Sequence, residues 1–159
     1  MGKIGVVADT HSQALPKQML EDFKHVDFII HAGDFCSTDI IAQLKEIKEV
    51  KGVYGNMDGT DVRKIFPRRQ LIKYGKFSIG VYHGEGMPQK LIGKVKEEFA
   101  DASVDCVIFG HSHQPLNEVM DKTLYFNPGS PTDTVYAPYQ SYGILEINDK
   151  IVGRIIKVK

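Results

Sequence analysis

The sequence predicts an α/β protein, and three observations carry that expectation. Short, β-branched apolar runs alternate with helix-patterned stretches through the first half of the chain. Apolar runs separated by turn residues fill the end of the chain and read as an antiparallel tail. The apolar runs of the first half are closed by Gly, Asp, Asn or His, the punctuation of strands that deliver side chains to a sheet edge.

Taken in order, Ile4–Ala8 is a short buried-strand pattern. Leu15–Lys24 places Leu15, Met19, Leu20 and Phe23 on one helical side. Val26–His31 is a second strand, closed by Gly33-Asp34. Thr38–Val50 is an amphipathic helix with Ile40, Ile41, Leu44 and Ile47 on its apolar face and Ser37 or Thr38 as N-cap. Gly52–Tyr54 reads as a third strand, stopped by Gly55-Asn56. This β-α-β-α-β order implies a mainly parallel sheet with right-handed crossovers. In the second half, Arg69–Tyr74 and Phe77–Tyr82 flank Gly75-Lys76 as a hairpin, and a helix runs from about Pro88 to Ala102. Cys106–Phe109 is a buried strand. Asn117–Met120, Thr123–Phe126, Ser141–Ile147 and Ile151–Val158 are the tail strands. The sum is one mixed sheet, or two packed face to face, with helices outside.

A length of 159 residues fits one domain spanning 1–159. Hydrophobic and charged fractions of 42% and 25% exclude disorder and fibrous repeats. Twenty Lys+Arg against 20 Asp+Glu leave no net charge, which argues against a basic nucleic-acid binder but leaves local patches open. No apolar run approaches the ~20 residues that span a bilayer, and the chain enters its first strand without a leader pattern. A cytoplasmic protein is expected. Cys36 and Cys106 have no C-x-x-C partner and read as idle thiols.

The chemistry gathers after the strands. Asp9-Thr10-His11 follows the first, Gly33-Asp34 the second, Gly55-Asn56-Met57-Asp58 the third, His83-Gly84 the Phe77–Tyr82 strand, and Gly110-His111-Ser112-His113 the Cys106–Phe109 strand. Ligands bind at the C-terminal edge of parallel strands in open α/β sheets. Each motif alone has a bland reading: Asp as turn former, Asn56 as a positive-φ turn residue, His83 as a satisfied strand-end histidine. Five of them at one edge is the signal. Asp58 is expected to orient Asn56 or His111 from behind, or to cap a helix before Val62–Ile65. His31 is expected to pack or to support ligands, and His25 to sit on the surface.

As an ordered set, these motifs resemble the calcineurin-like metallophosphoesterases. The nearest branch is that of the small YfcE-type phosphodiesterases, to which the retromer subunit Vps29 is related in fold. The Asn127-Pro128-Gly129-Ser130 turn fits the same branch. The resemblance implies a four-layer αββα sandwich of two mixed sheets flanked by helices. It implies that Asp9, His11 and His113 hold one metal, that Asn56, His83 and His111 hold another, and that Asp34 bridges them. Asp34, Asn56 and His83 would carry the catalytic work. Two divalent ions against two carboxylates leave about two positive charges, enough to attract a phosphate anion and acidify a bridging water. Nitrogen-rich ligation disfavours Mg²⁺ and Ca²⁺ and suits Mn²⁺, Fe, Zn²⁺ or Ni²⁺, with Mn²⁺ favoured from the resemblance.

The expected activity is therefore hydrolysis of a small phosphodiester, with nucleic acid entering only as a substrate and a homo-oligomer compatible with the family. One position departs from the larger family: Met57 stands where many members carry a histidine that protonates the leaving group. It feeds the alternative of a non-catalytic, protein-binding scaffold of the Vps29 type. A dinucleotide-binding protein is excluded, because the first strand leads into Asp9-Thr10-His11 and not into G-x-G-x-x-G. Substrate contacts are expected from loops 84–90 and 131–140, where Tyr136 and Tyr139 either stack on a base or pack.

Overall fold

The computed structural model describes residues 2–159. Among these residues, ten strands form two five-stranded sheets. The first contains β1 (Gly2–Val7), β2 (Phe28–His31), β3 (Val50–Gly52), β9 (Ser141–Ile147) and β10 (Ile151–Lys157), in the order β10-β9-β1-β2-β3. The second contains β4 (Arg69–Tyr74), β5 (Phe77–Tyr82), β6 (Cys106–Ile108), β7 (Leu116–Met120) and β8 (Thr123–Asn127), in the order β4-β5-β6-β8-β7. The helices are α1 (Lys17–Phe23), α2 (Thr38–Lys45), the single turn α3 (Thr60–Arg63) and α4 (Pro88–Glu98).

Side-chain alternation builds the layers. Ile4 and Val6 of β1 and Ile30 of β2 pack against Ile79, Val81, Ile108 and Phe126 of the second sheet. Their neighbours Val7 and Ile29 face the other way, onto Met19 and Phe23 of α1 and Leu44 of α2. On the far side, Leu91 and Val95 of α4 cover Tyr82 and Val107 of the second sheet. The stack is helices, sheet, sheet, helix. Fully burying one such Leu, Ile or Phe is worth roughly 1.5–3 kcal/mol, so the two sheets hold each other in register.

Two expectations need correction. The helix read to Val50 ends at Lys45, and the third strand is Val50–Gly52, not Gly52–Tyr54. Val50 carries the reason: it suits the apolar stripe of a helix, but parallel pairing with Ile29 claims it for the sheet. Ser37 does cap α2, its Oγ accepting from the Asp39 N–H at 3.0 Å.

The tail is also less uniformly antiparallel than its turns suggest. β7 and β8 form an antiparallel hairpin, and β9 runs antiparallel to β1. But β8 pairs parallel with β6, as β5 does. Its C-terminal end therefore emerges at the same edge as those of β5 and β6. That edge gains a sixth contributor, the segment after Asn127.

Candidate metal centre

The seven motif residues meet at this shared edge. Asp9, Asp34 and His83 are buried, and His11, His111 and His113 stand at the rim of the same hollow. Two compact groups form, Asp9 with His11 and His113, and Asp9 with Asp34 and His83; within each group the ligand atoms lie within 4.8 Å of one another. Asp34 Oδ2 faces both sides, 3.6 Å from His11 Nε2 and 3.2 Å from His83 Nε2. Asn56 Oδ1 joins the set, 3.1 Å from His83 Nε2 and 3.2 Å from His111 Nδ1.

The backbone is bent to make this convergence. Asp9, His11, Asp34, His111 and His113 all have φ between 46° and 74°, the left-handed region that costs a non-glycine residue roughly 1–2 kcal/mol each. Such a cost persists only where the surroundings overdetermine the conformation. Gly55 shows how tight they are: a Cβ there would lie 2.2 Å from Asp34 Oδ1. Asp58 clamps the two loops together, accepting from the backbone N–H of Asp34 at 2.9 Å, Gly55 at 2.8 Å and Cys36 at 2.7 Å. Among the described residues its carboxylate makes no hydrogen bond to the Asn56 amide or the His111 ring, and Gly59, not Asp58, precedes α3. Both expected roles of Asp58 are thus replaced by backbone clamping.

Hydrogen bonds on the outer nitrogens turn the inner ones toward the centre. His83 Nδ1 donates to the Ala32 carbonyl at 2.7 Å, so Nε2 presents its lone pair. His113 Nδ1 donates to Asp133 at 2.6 Å, with the same result. His11 Nδ1 lies 3.4 Å from Cys36 Sγ, whose thiol is held protonated, pushed up to about 12 by burial and by Asp34 and Asp58. His111 Nε2 donates to the Gly86 carbonyl at 2.8 Å, leaving Nδ1 inward. His11 Nε2 and His113 Nε2 then face each other at 3.2 Å. Asp9 Oδ1 lies 3.6 Å from His113 Nε2 and 3.8 Å from those of His11 and His83. Among the described residues, it is the buried side-chain oxygen without a hydrogen-bond partner.

Lone pairs converging on lone pairs and on carboxylates demand positive charge. Burial opposes a charged His83, but the Asp34 hydrogen bond and the Asp9 and Asp34 charges outweigh it and push the imidazole up to about 9. His11 is raised chiefly by Asp9. A divalent cation supplies the same charge without the proton, so this donor set fits a metal.

His31 lies outside the ligand set. Its ring is fully buried and stacks on Phe35, centroids 3.6 Å apart. Nδ1 accepts from the Gly33 N–H at 3.1 Å, and Nε2 donates to Thr10 Oγ1 at 3.1 Å. It braces the Asp9 and Asp34 loops, in line with a supporting role. Met57 is 62% exposed; its backbone N–H donates to Asp34 Oδ1 at 2.8 Å.

Ser130, at the end of the Asn127-Pro128-Gly129-Ser130 turn, and Asp133 beyond it take roles at the centre that the sequence does not announce. Ser130 Oγ donates to the Asp9 carbonyl at 2.8 Å, and Asp133 holds His113. Burial works to raise the Asp133 carboxyl, but His113 and the backbone N–H groups of Val135, Tyr136 and Ala137 bring it down to about 2. The parallel exit of β8 is the signal that would have found both.

Comparison with known proteins falls in the same place. The family model for the calcineurin-like phosphoesterase superfamily domain matches residues 2–150. A probable metallophosphoesterase of Methanocaldococcus jannaschii is 34% identical, covering 98% of this chain and 81% of its own. A phosphodiesterase of the same organism is 28% identical over 80% of this chain and 82% of its own. Among solved structures, wild-type Vps29 of Entamoeba histolytica complexed with Zn²⁺ superimposes with a TM-score of 0.79 at 23% identity, covering 99% of both chains. No helix among the described residues is long and apolar enough to cross a membrane.

Proposed function

The chain belongs to the calcineurin-like phosphoesterase superfamily, and from that premise we propose that it is a dinuclear metal-dependent phosphodiesterase. The observation that carries the reading is the buried, unpartnered Asp9 Oδ1, with the Nε2 atoms of His11, His83 and His113 at 3.6–3.8 Å. Asp9, His11 and His113 would hold one cation, Asn56, His83 and His111 the second, with Asp34 between them. Nitrogen-rich donors favour Mn²⁺, with Ni²⁺, Zn²⁺ or Fe as substitutes. A cation pair, when bound, supplies the charge that acidifies water and offsets the negative charge of the phosphoryl oxygens.

The chain's own groups do the rest. The Ala32 carbonyl and the Asp133 carboxylate lock the His83 and His113 rings in one orientation. Asp58 fixes the distance between the Asp34 and Gly55 loops. In the reaction a water oxygen forms the new P–O bond as the bond to the leaving oxygen breaks. The leaving oxygen keeps the electron pair of the broken bond, and the attacking water gives up one proton to solvent. Met57 cannot donate a proton, so the leaving group departs as its anion or takes a proton from solvent. Rates should fall steeply as leaving-group pKa rises.

The test is metal analysis after mild purification, then hydrolysis of bis-p-nitrophenyl phosphate with added Mn²⁺. Uptake of two ions and turnover lost in Asp34→Asn and His83→Ala are expected. Met57 favours one competing reading, a protein-binding scaffold, which forecasts metal-replete protein without hydrolysis across several diesters.

A further inference from the structure

Two clefts open from the metal centre, and they share two lining residues, His113 and Tyr136. The first, about 390 Å³, is bounded by His11, Thr132 and Val135. The second, about 350 Å³, is bounded by Pro88, His111, Ser112 and Gln114. Each is wide enough for one small organic substituent and adjoins candidate ligands on its own side.

What lines the clefts decides what enters them. Among the described residues, no lysine or arginine borders either one. The one carboxylate present, Asp133, would repel an anionic substituent. A second phosphate, as in a polynucleotide or a polyphosphate, would find no cationic side chain here. Apolar surface is offered instead. Tyr136 is 79% exposed, and Val135 beside it is equally bare. An exposed tyrosine is ordinarily mobile, but this one is fixed at its root: the Asp133 carboxylate accepts from the backbone N–H of Val135, Tyr136 and Ala137 at 2.8–3.2 Å. The carboxylate that orients His113 therefore also sets the position of the Tyr136 backbone.

Resting on the phosphodiesterase reading, we infer that the substrate is a diester whose two ester arms are uncharged, each lying in one cleft, and that the arm that stays on phosphorus is flat and stacks on Tyr136. A flat arm stacking on tyrosine gains about tenfold in affinity.

The experiment holds the p-nitrophenolate leaving group constant and varies the other arm: methyl, phenyl or carboxymethyl. Rates with Mn²⁺ are corrected for uncatalysed hydrolysis. Wild type is expected to prefer phenyl to methyl about tenfold in kcat/KM, mostly through KM, and to disfavour carboxymethyl. Tyr136→Ala brings the phenyl-to-methyl ratio toward one, and Tyr136→Phe keeps it. A readout without turnover is calorimetric binding of diphenylphosphinate against dimethylphosphinate, expected to differ by the same factor and to converge in Tyr136→Ala. A ratio near one in wild type, or a ratio untouched by Tyr136→Ala, overturns this inference while leaving the hydrolase intact. Hydrolysis of none of the three esters overturns the phosphodiesterase reading itself.

Discussion

His113 Nδ1 and Asp133 Oδ2 lie 2.6 Å apart, a charge-assisted hydrogen bond that joins a candidate metal ligand to the loop beside it. The carboxylate fixes the tautomer that leaves Nε2 free to ligate. Losing such a support typically costs 10- to 100-fold in metal affinity. Asp133→Ala should therefore weaken Mn²⁺ binding by at least about tenfold in a competition titration with a chelating dye. Asp133→Asn, whose amide oxygen still accepts from His113, should lose less. Equal affinity in wild type and Asp133→Ala would detach His113 from the metal.

The buried Asp9 Oδ1 leads to a prediction about metal-linked stability. In metal-free protein it has no hydrogen-bond partner, but its charge helps hold the His83 imidazole up at about 9 and raises His11. Asp9→Asn removes that charge, while its amide oxygen can still accept the His111 N–H that Oδ2 now takes at 3.0 Å. With chelator present at neutral pH, Asp9→Asn should unfold below wild type. With Mn²⁺ at 100 times the wild-type Kd the gap should widen by about 2.7 kcal/mol, because only wild type binds the ion well. Differential scanning calorimetry under both conditions reads the widening. The same gap in both would mean that Asp9 is not a ligand.

How far this site was legible in the sequence follows from periodicity. Ile4–Ala8, the hairpin around Gly75-Lys76 and the polar residues after each parallel strand announce themselves, since buried strands and their breakers leave local marks. Asp133 leaves none. Its partner is 20 residues away, and the loop carrying it has no repeat to read. It reaches the centre because β8 lies parallel to β6, a fact of sheet order that a hairpin with β7 conceals. Asp58 was misread for a related reason: its three donors are backbone N–H groups, two of them on a loop more than twenty residues away, and no side-chain pattern marks such bonds.

His31 sets an acid limit on stability. Burial, with the nearby His83 adding to it, holds its pKa well below the ordinary 6.5, so the folded ring stays neutral where the unfolded one takes a proton. The unfolded state then binds more protons, and stability falls as pH drops below about 6.5. It is fully present above that value. From pH 7 to 5.5 this one group should remove about 1 kcal/mol, measured by urea unfolding in chelator. His31→Gln, less stable at neutral pH through loss of the Phe35 stack, should lack that part of the slope. An identical slope in the variant would place the acid sensitivity elsewhere.

Met57 offers the sharpest test of how the leaving group departs. Its backbone N–H holds Asp34 Oδ1 and its side chain projects into solvent, so the position can be changed without disturbing the core. A histidine there would stand beside Asn56 with a pKa suited to giving a proton near neutrality. General acid catalysis is worth about 10²–10⁴-fold when well aligned, and an unrefined placement should recover only the lower part of that range. Met57→His should leave esters of p-nitrophenol nearly unchanged, since so acidic a leaving group needs no proton. Alkyl esters should gain roughly 10-fold or more. Plotted against leaving-group pKa, log kcat/KM should be steep in wild type and shallower in Met57→His, and the gain should fade above about pH 7 as the imidazole loses its proton. Parallel lines for the two proteins would show that protonation of the leaving oxygen does not limit the rate, and that Met57 is no handicap.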